Sequence, residues 1–312
     1  MRTTFIETLT ELAQEDEKIM CVIGDTGFSV FEGFEQEFGG RFLNVGIAEQ
    51  NFVSIGAGLA AMGMKPYIYN VVSFMTLRAA EQIMLDICYQ ENPVVLVGVG
   101  GGLAYATAGP THHALQDLAL MSAMPNMSVV CPGDPVEMKA VMKQSKDFGK
   151  PLYIRIGRSV DPVVHSGDID FKIGKAIQMY DGTDATLFVT GVMLQEAVKV
   201  RELLCQKGIT AALYSMPSVK PIDKEIIKER AALGKPVFTI EEHSVIGGLG
   251  DAVGRVLCEY MADTPVQFHK FGIPDQFAPV TGSRDYLRDL FGISADKMAG
   301  AIVQMLGGDE TI

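Results

Sequence analysis

The sequence predicts an α/β protein made of two consecutive, doubly wound, mostly parallel sheet domains. Short β-rich runs alternate with longer helical patterns along nearly the whole chain. Those runs are apolar throughout, as strands covered on both faces must be. A polar segment over 157–174 then splits the alternation into two series.

In the first series, strands are expected at 19–23, 65–70, 94–99, 128–131 and 152–156, with helices at 49–62, 77–90 and 135–146. In the second, strands fall near 185–190, 211–215, 236–240 and 266–271, with helices near 195–207, 223–233 and 250–262. Arg158, Asp161, Pro162 and Gly167 break the periodicity between them, giving expected domains of 1–165 and 166–312. No repeat of solenoid length and no low-complexity tract is present.

At 312 residues, 48% hydrophobic and 21% charged, the chain can bury substantial cores. A net charge of -12 argues against a nucleic-acid or anionic-membrane surface, since either needs clustered Lys and Arg, but leaves room for a local phosphate site. The start, Met1-Arg2-Thr3-Thr4, lacks a signal-peptide layout, and no apolar stretch reaches the roughly 18 residues of a spanning helix. A cytoplasmic protein is expected. Cys21, Cys88, Cys131, Cys205 and Cys258 are scattered without a CxxC pair and read as buried free thiols, none of them a nucleophile.

Ligands of open parallel sheets gather at the carboxyl ends of strands, which directs attention to loops at 24–30, 45–49, 71–74, 98–113 and 157–160. One of them opens the run Asn44-Val45-Gly46-Ile47-Ala48-Glu49-Gln50, a carboxylate starting an apolar, small-residue helix. By itself such a glutamate is what a helix dipole favours. The whole phrase, followed by a Gly/Ala-rich helix and Lys65-Pro66, resembles the pyrimidine-binding domain of the transketolase family. It also resembles 1-deoxyxylulose-5-phosphate synthase and, more distantly, the pyruvate dehydrogenase β subunit. In transketolases the matching glutamate hydrogen-bonds N1′ of the aminopyrimidine of thiamine diphosphate. That contact favours the imino tautomer, whose nitrogen removes the thiazolium C2 proton, and the resemblance assigns it to Glu49.

Counting on from the glutamate, Phe74 matches the family's aromatic residue that packs against the aminopyrimidine, a flat apolar face for a flat ring. Val71 and Leu77 stand where some relatives have further aromatics. The phrase Gly109-Pro110-Thr111-His112, followed by Gln116-Asp117-Leu118-Ala119, resembles the family element whose histidine reaches the sugar substrate; His113 is expected to point elsewhere. Two departures stand out. Pentose-phosphate transketolases carry a histidine just after the strand and an aspartate just before Gly-Pro-Thr, where this chain has glycine near Gly100 and Ala108. Both family groups contact substrate hydroxyls, so their loss relaxes or redirects selection.

The resemblance further assigns Arg2, Ser29 and Arg158 to an acceptor-phosphate site, where guanidinium forks and a hydroxyl suit phosphoryl or sulfonyl oxygens, and Asp25 to the neighbourhood of the thiamine. In the second domain, Glu241-Glu242-His243-Ser244-Val245-Ile246-Gly247-Gly248-Leu249-Gly250 misses the GxGxxG spacing and is expected to serve packing and subunit contact. The family's diphosphate- and magnesium-binding motif is absent; Gly24-Asp25-Thr26 is not that motif. The resemblance therefore implies a C-terminal transketolase subunit that uses thiamine diphosphate and Mg²⁺ with an N-terminal partner holding the metal, as an α2β2 heterotetramer acting on anionic sugars. A decarboxylating enzyme of the synthase or dehydrogenase type, or a catalytically degenerate regulatory subunit, are the alternatives.

Overall fold

The computed structural model describes residues 1–158, 161–260 and 265–307. The strands are β1 (Ile19–Ile23), β2 (Phe42–Asn44), β3 (Lys65–Val71), β4 (Val95–Val99), β5 (Ser128–Val130), β6 (Leu152–Ile156), β7 (Ile177–Tyr180), β8 (Ala185–Val189), β9 (Ala211–Ser215), β10 (Ser218–Lys220), β11 (Val237–Ser244) and β12 (Phe268–Ile273). They form a seven-stranded sheet in the order β10-β5-β6-β4-β3-β1-β2 and a five-stranded sheet in the order β12-β11-β8-β9-β7. Pairing is parallel except at one edge of each sheet, where β10 runs against β5 and β7 against β9.

The first half carries α1 (Arg2–Glu15), α2 (Glu32–Phe38), α3 (Glu49–Ala61), α4 (Val72–Arg78), a short α5 (Ala80–Gln82) running into a π-helical segment (Ile83–Tyr89), α6 (Asp117–Ala123) and α7 (Pro135–Ser145). The second half carries α8 (Leu194–Gln206), α9 (Lys224–Ala231), α10 (Leu249–Tyr260), α11 (Arg284–Leu290) and α12 (Ala295–Met305). Phe5 and Leu9 of α1 and Met138 and Val141 of α7 pack on one face of the first sheet. Phe52 and Val53 of α3, Ile83 and Leu118 pack on the other. The second sheet is covered on both faces too. Covering both faces explains the unbroken burial of β1, β4, β6, β8 and β9.

Two expectations are corrected. The helix read over 77–90 is three consecutive pieces, the end of α4, α5 and the π-helical segment, and the first of them begins at Val72, because β3 turns directly into α4 and the run Val71-Val72-Ser73-Phe74-Met75 masks the junction with β-branched and apolar residues. The cysteines are all free, but only Cys21, Cys88 and Cys131 are buried; Cys205 and Cys258 lie on outward faces of α8 and α10. Burial pushes the Cys131 thiol up to about 12, which suppresses thiolate chemistry there. The end of the helix read over 250–262, the last half of the 157–160 loop and the chain beyond Gly307 lie outside the described residues. Among the described residues no helix is long and apolar enough to cross a membrane.

A buried charge network joins the two halves. The Arg155 Nε of β6 donates to Asp117 Oδ2 at 2.8 Å, and its Nη2 donates to the carbonyls of Ala114, 2.8 Å, and Glu242, 3.0 Å. The Glu242 carboxylate on β11 accepts from Arg284, Arg288 and the Leu103 backbone N–H. Glu242 is 1% exposed, so removing its charge strands two guanidinium groups. Burial by itself would push its carboxyl up, but Arg284 and Arg288 overcome burial and hold it at about 2, against an ordinary value of 4.5.

A carboxyl lowered on folding stabilises fully above its unfolded value and loses that contribution as pH falls toward its folded one. We therefore expect Glu242→Gln to cost roughly 3–5 kcal/mol near neutrality, with faster amide exchange at Leu103. Thermal unfolding against pH should show the gap between the two proteins closing as pH drops from about 5 toward about 2.

Candidate functional site

The site forms at the carboxyl ends of the first sheet. Small residues let α3 sit close to β3: a Cβ on Gly56 would lie 2.3 Å from Ile68 Cδ1. Glu49 is the first residue of α3, 7% exposed, with no side-chain cap before it. Asn44, at the end of β2, fixes the approach: its Oδ1 accepts from both Asp25 N and Gly46 N at 3.0 Å. This Asx turn ties the loop after β1 to the loop before Glu49.

From Glu49 a continuous strip of side chains runs across the strand ends. Arg78, the last residue of α4, donates from Nη1 to Glu49 Oε1 at 2.6 Å. The same guanidinium lies over the Phe74 ring, 4.2 Å from its centroid. Phe74 meets His112 edge to face at 5.0 Å and 67°. His112 meets Tyr105 at 5.7 Å, and Arg158 covers the Tyr105 ring at 4.5 Å. The Thr111 hydroxyl is 2.9 Å from His112 Nδ1, fixing the imidazole. His113 is turned into the interior, with Nε2 3.2 Å from the Ala106 carbonyl.

Arg2 joins the far end of the strip. Burial raises the Tyr105 pKa while the positive charges of Arg158 and Arg2 oppose it; burial raises that of Tyr69 too, again against Arg2. Asp25 and Ser29 are placed differently. Both lie on the loop after β1 with positive φ, 55° and 61°, and are exposed; among the described residues they make no hydrogen bond, ion pair or ring contact with the strip. Asp25 is tied to Asn44, and the Ser29 amide donates to Glu32.

Three residues of the site carry no role in the sequence reading. Arg78 had a legible signal, a cation four residues after Phe74 on one helical face. Asn44 had another, an Asx residue closing a strand two residues before a glycine. Tyr105 had none, because only the fold brings it between His112 and Arg158. Its ring also explains Gly100: φ there is +87°, and a Cβ would fall 2.1 Å from Tyr105 Cε2. The space beside the strand end, which the resemblance gives to a histidine, is filled by a tyrosine from five residues on.

The loop bearing Tyr105 and His112 is closed at its base by a Gly102–Ala114 bridge, and Leu103 and Ala114 are held by the buried Glu242 and Arg155. The paired Glu49 and Arg78 side chains line a cavity of about 550 Å³ together with Ile47, Ala48, Gln50 and Asn51. A larger groove of about 690 Å³ lies between α1, α7 and the segment 168–171 and contains none of the residues above. Among the described residues no group of three or more His, Cys, Asp or Glu side chains is placed to hold a metal.

Comparison with known proteins places this geometry in a family. Residues 1–161 match the transketolase pyrimidine-binding domain, and residues 174–298 match the transketolase C-terminal domain. The chain belongs to the transketolase family. It is 38% identical over 277 residues to an apulose-4-phosphate transketolase subunit of Phocaeicola vulgatus, covering 88% of each protein. It is 34% identical over 302 residues to a 6-deoxy-6-sulfo-D-fructose transketolase subunit of a Clostridium species, covering 96% of this chain and 92% of that one. A solved split-gene transketolase, described as an inactive β4 tetramer, superposes with a TM-score of 0.88 at 37% identity, over 98% of this chain and 97% of that one.

Transketolases use thiamine diphosphate, and the cradle here fits one end of it. A buried carboxylate is joined through the Arg78 guanidinium to the Phe74 face, and the buried Asn70 Nδ2 and Ser73 Oγ at the β3–α4 junction have no hydrogen-bond partner among the described residues. These groups suit a flat, polar-edged ring rather than a diphosphate, which needs cations or a metal.

Gly100→Ala should cost about 1–3 kcal/mol in thermal stability through backbone strain, plus the cost of displacing Tyr105. Adding Tyr105→Ala is expected to recover only the steric part.

Proposed function

We propose that this transketolase-family subunit transfers a two-carbon ketol unit between anionic sugars, together with an N-terminal partner that supplies the diphosphate site and Mg²⁺. The observation that carries the reading is the strip itself: a buried carboxylate at one end, guanidinium groups at the other, and an aromatic face between them. When bound, thiamine diphosphate supplies the carbon nucleophile for the transfer. In this reading the Glu49 carboxyl group shares a proton with N1′ of the aminopyrimidine, and Phe74 packs against that ring. His112 hydrogen-bonds sugar oxygens, while Arg158 and Arg2, with Ser29 from the neighbouring loop, receive the phosphate or sulfonate. Asp25 lies toward the thiamine.

The partner is supported by what surrounds Glu49. Ile47 is 76% exposed and Leu77 56% exposed, beside the carboxylate and Arg78 respectively, an apolar rim that a second subunit would cover. The relatives named as subunits agree, and an α2β2 assembly is the arrangement we infer. Gly100 and Ala108 in place of the histidine and aspartate of pentose-phosphate enzymes favour an acceptor other than a standard aldose phosphate.

The test is to reconstitute the chain with its partner, thiamine diphosphate and Mg²⁺, and to offer ketose phosphates, sulfonated ketoses and pyruvate with product mass as the readout. Ketol transfer is expected, falling by about 100-fold or more in Glu49→Gln. Carbon dioxide from pyruvate, or full turnover by this chain alone, would contradict the reading. Arg158→Ala should raise KM for the anionic acceptor by about 10-fold without altering cofactor affinity.

A further inference from the structure

In the free chain, one residue already makes both of the contacts that the aminopyrimidine would need. Arg78 donates an N–H to the Glu49 carboxylate at 2.6 Å and lays its planar guanidinium over Phe74 at 4.2 Å. A guanidinium and a protonated aminopyrimidine share the relevant chemistry: a flat, delocalised N–C–N group that donates at its edge and stacks on its face. Both cannot lie on the same face of the Phe74 ring at once, and each would engage the same carboxylate.

We propose that Arg78 is a built-in stand-in for the aminopyrimidine, holding Glu49 and covering Phe74 until the cofactor displaces it. The proposal rests on the Glu49 reading given above. Three features fit an exchangeable contact rather than a fixed structural pair. The side chains are unequally committed, since that of Glu49 is 8% exposed while that of Arg78 is 51% exposed and open on one side to swing outward. Arg78 closes α4, so its movement leaves the helix hydrogen bonds behind it intact. The pair lies on the wall of the Glu49 cavity, so moving Arg78 enlarges the space beside the carboxylate.

The arrangement has a thermodynamic signature. Without a partner, the buried Glu49 carboxylate would carry an uncompensated desolvation cost; Arg78 removes that cost from the empty state. Stabilising the empty, closed arrangement reduces the fraction of molecules ready to bind, and the apparent affinity falls by the same factor. An ion pair with one half-exposed partner sets that factor at about 2- to 5-fold.

Calorimetric titration of the partner-reconstituted complex with thiamine diphosphate and Mg²⁺ tests this directly. Arg78→Gln and Arg78→Ala should tighten binding by about 2- to 5-fold; weaker or unchanged binding overturns the proposal. A double-mutant cycle of Glu49→Gln and Arg78→Gln, read in thermal unfolding, should show coupling without cofactor and none at saturating cofactor. Coupling that survives saturation would mean that the two side chains stay paired, and the stand-in role fails. The Glu49 reading is judged separately, by whether Glu49→Gln alone retains turnover, while the affinity comparison is made with Glu49 intact.

Discussion

The buried Glu242 carboxylate is the fixed point on which the site's far half stands. It takes two guanidinium groups from α11 and one backbone amide from the 100–114 loop, and its own carbonyl accepts from Arg155 of the other sheet. A long, glycine-rich loop would by itself sample many shapes, although Leu103 and Ala106 anchor this one in the core of the second domain. Charge-assisted bonds in a dry interior allow it few, because every alternative leaves a buried charge without a partner. The second domain thus reaches the candidate site without lending it a reacting group.

That loop sets what can be recognised. Tyr105 and His112 both stand on it, and Arg158, just past the end of β6, is stacked on the tyrosine, so one movement of the loop base would shift the imidazole, the phenol and the stacked cation together. The near half is built differently. Glu49, Phe74 and Arg78 ride on the first residue of α3 and on α4, each rigidly joined to β3 or its neighbours. The division suits the proposed chemistry: the carboxylate that would meet the cofactor sits on regular structure, while the histidine that would meet the sugar sits on a loop.

The exposed apolar rim beside Glu49 gives the same division a second meaning. A carboxylate that is mostly buried, in a cavity edged by the exposed Ile47, has the form of half a site, shaped to be completed by another surface. Apolar residues at the mouth and a cation resting on the carboxylate are compatible demands, since Arg78 can satisfy Glu49 without hiding the rim.

The sequence by itself determined the two parallel-sheet units and most of their strands, because strands covered on both faces are written as unbroken apolar runs. It also singled out Glu49, Phe74 and His112, whose phrases are local and specific. What it could not show were features made by distant segments meeting. β10 completes the first sheet from the second half of the chain, and three alternating residues give no sign of which sheet they will join. Glycine at 100 reads as a lost group until the Tyr105 ring is seen in its place. Arg78 reads as a helix-end cation until its distance to Glu49 is known. Local pattern fixes which elements form, whereas a site of this kind depends on long-range contacts, which only the packed chain specifies.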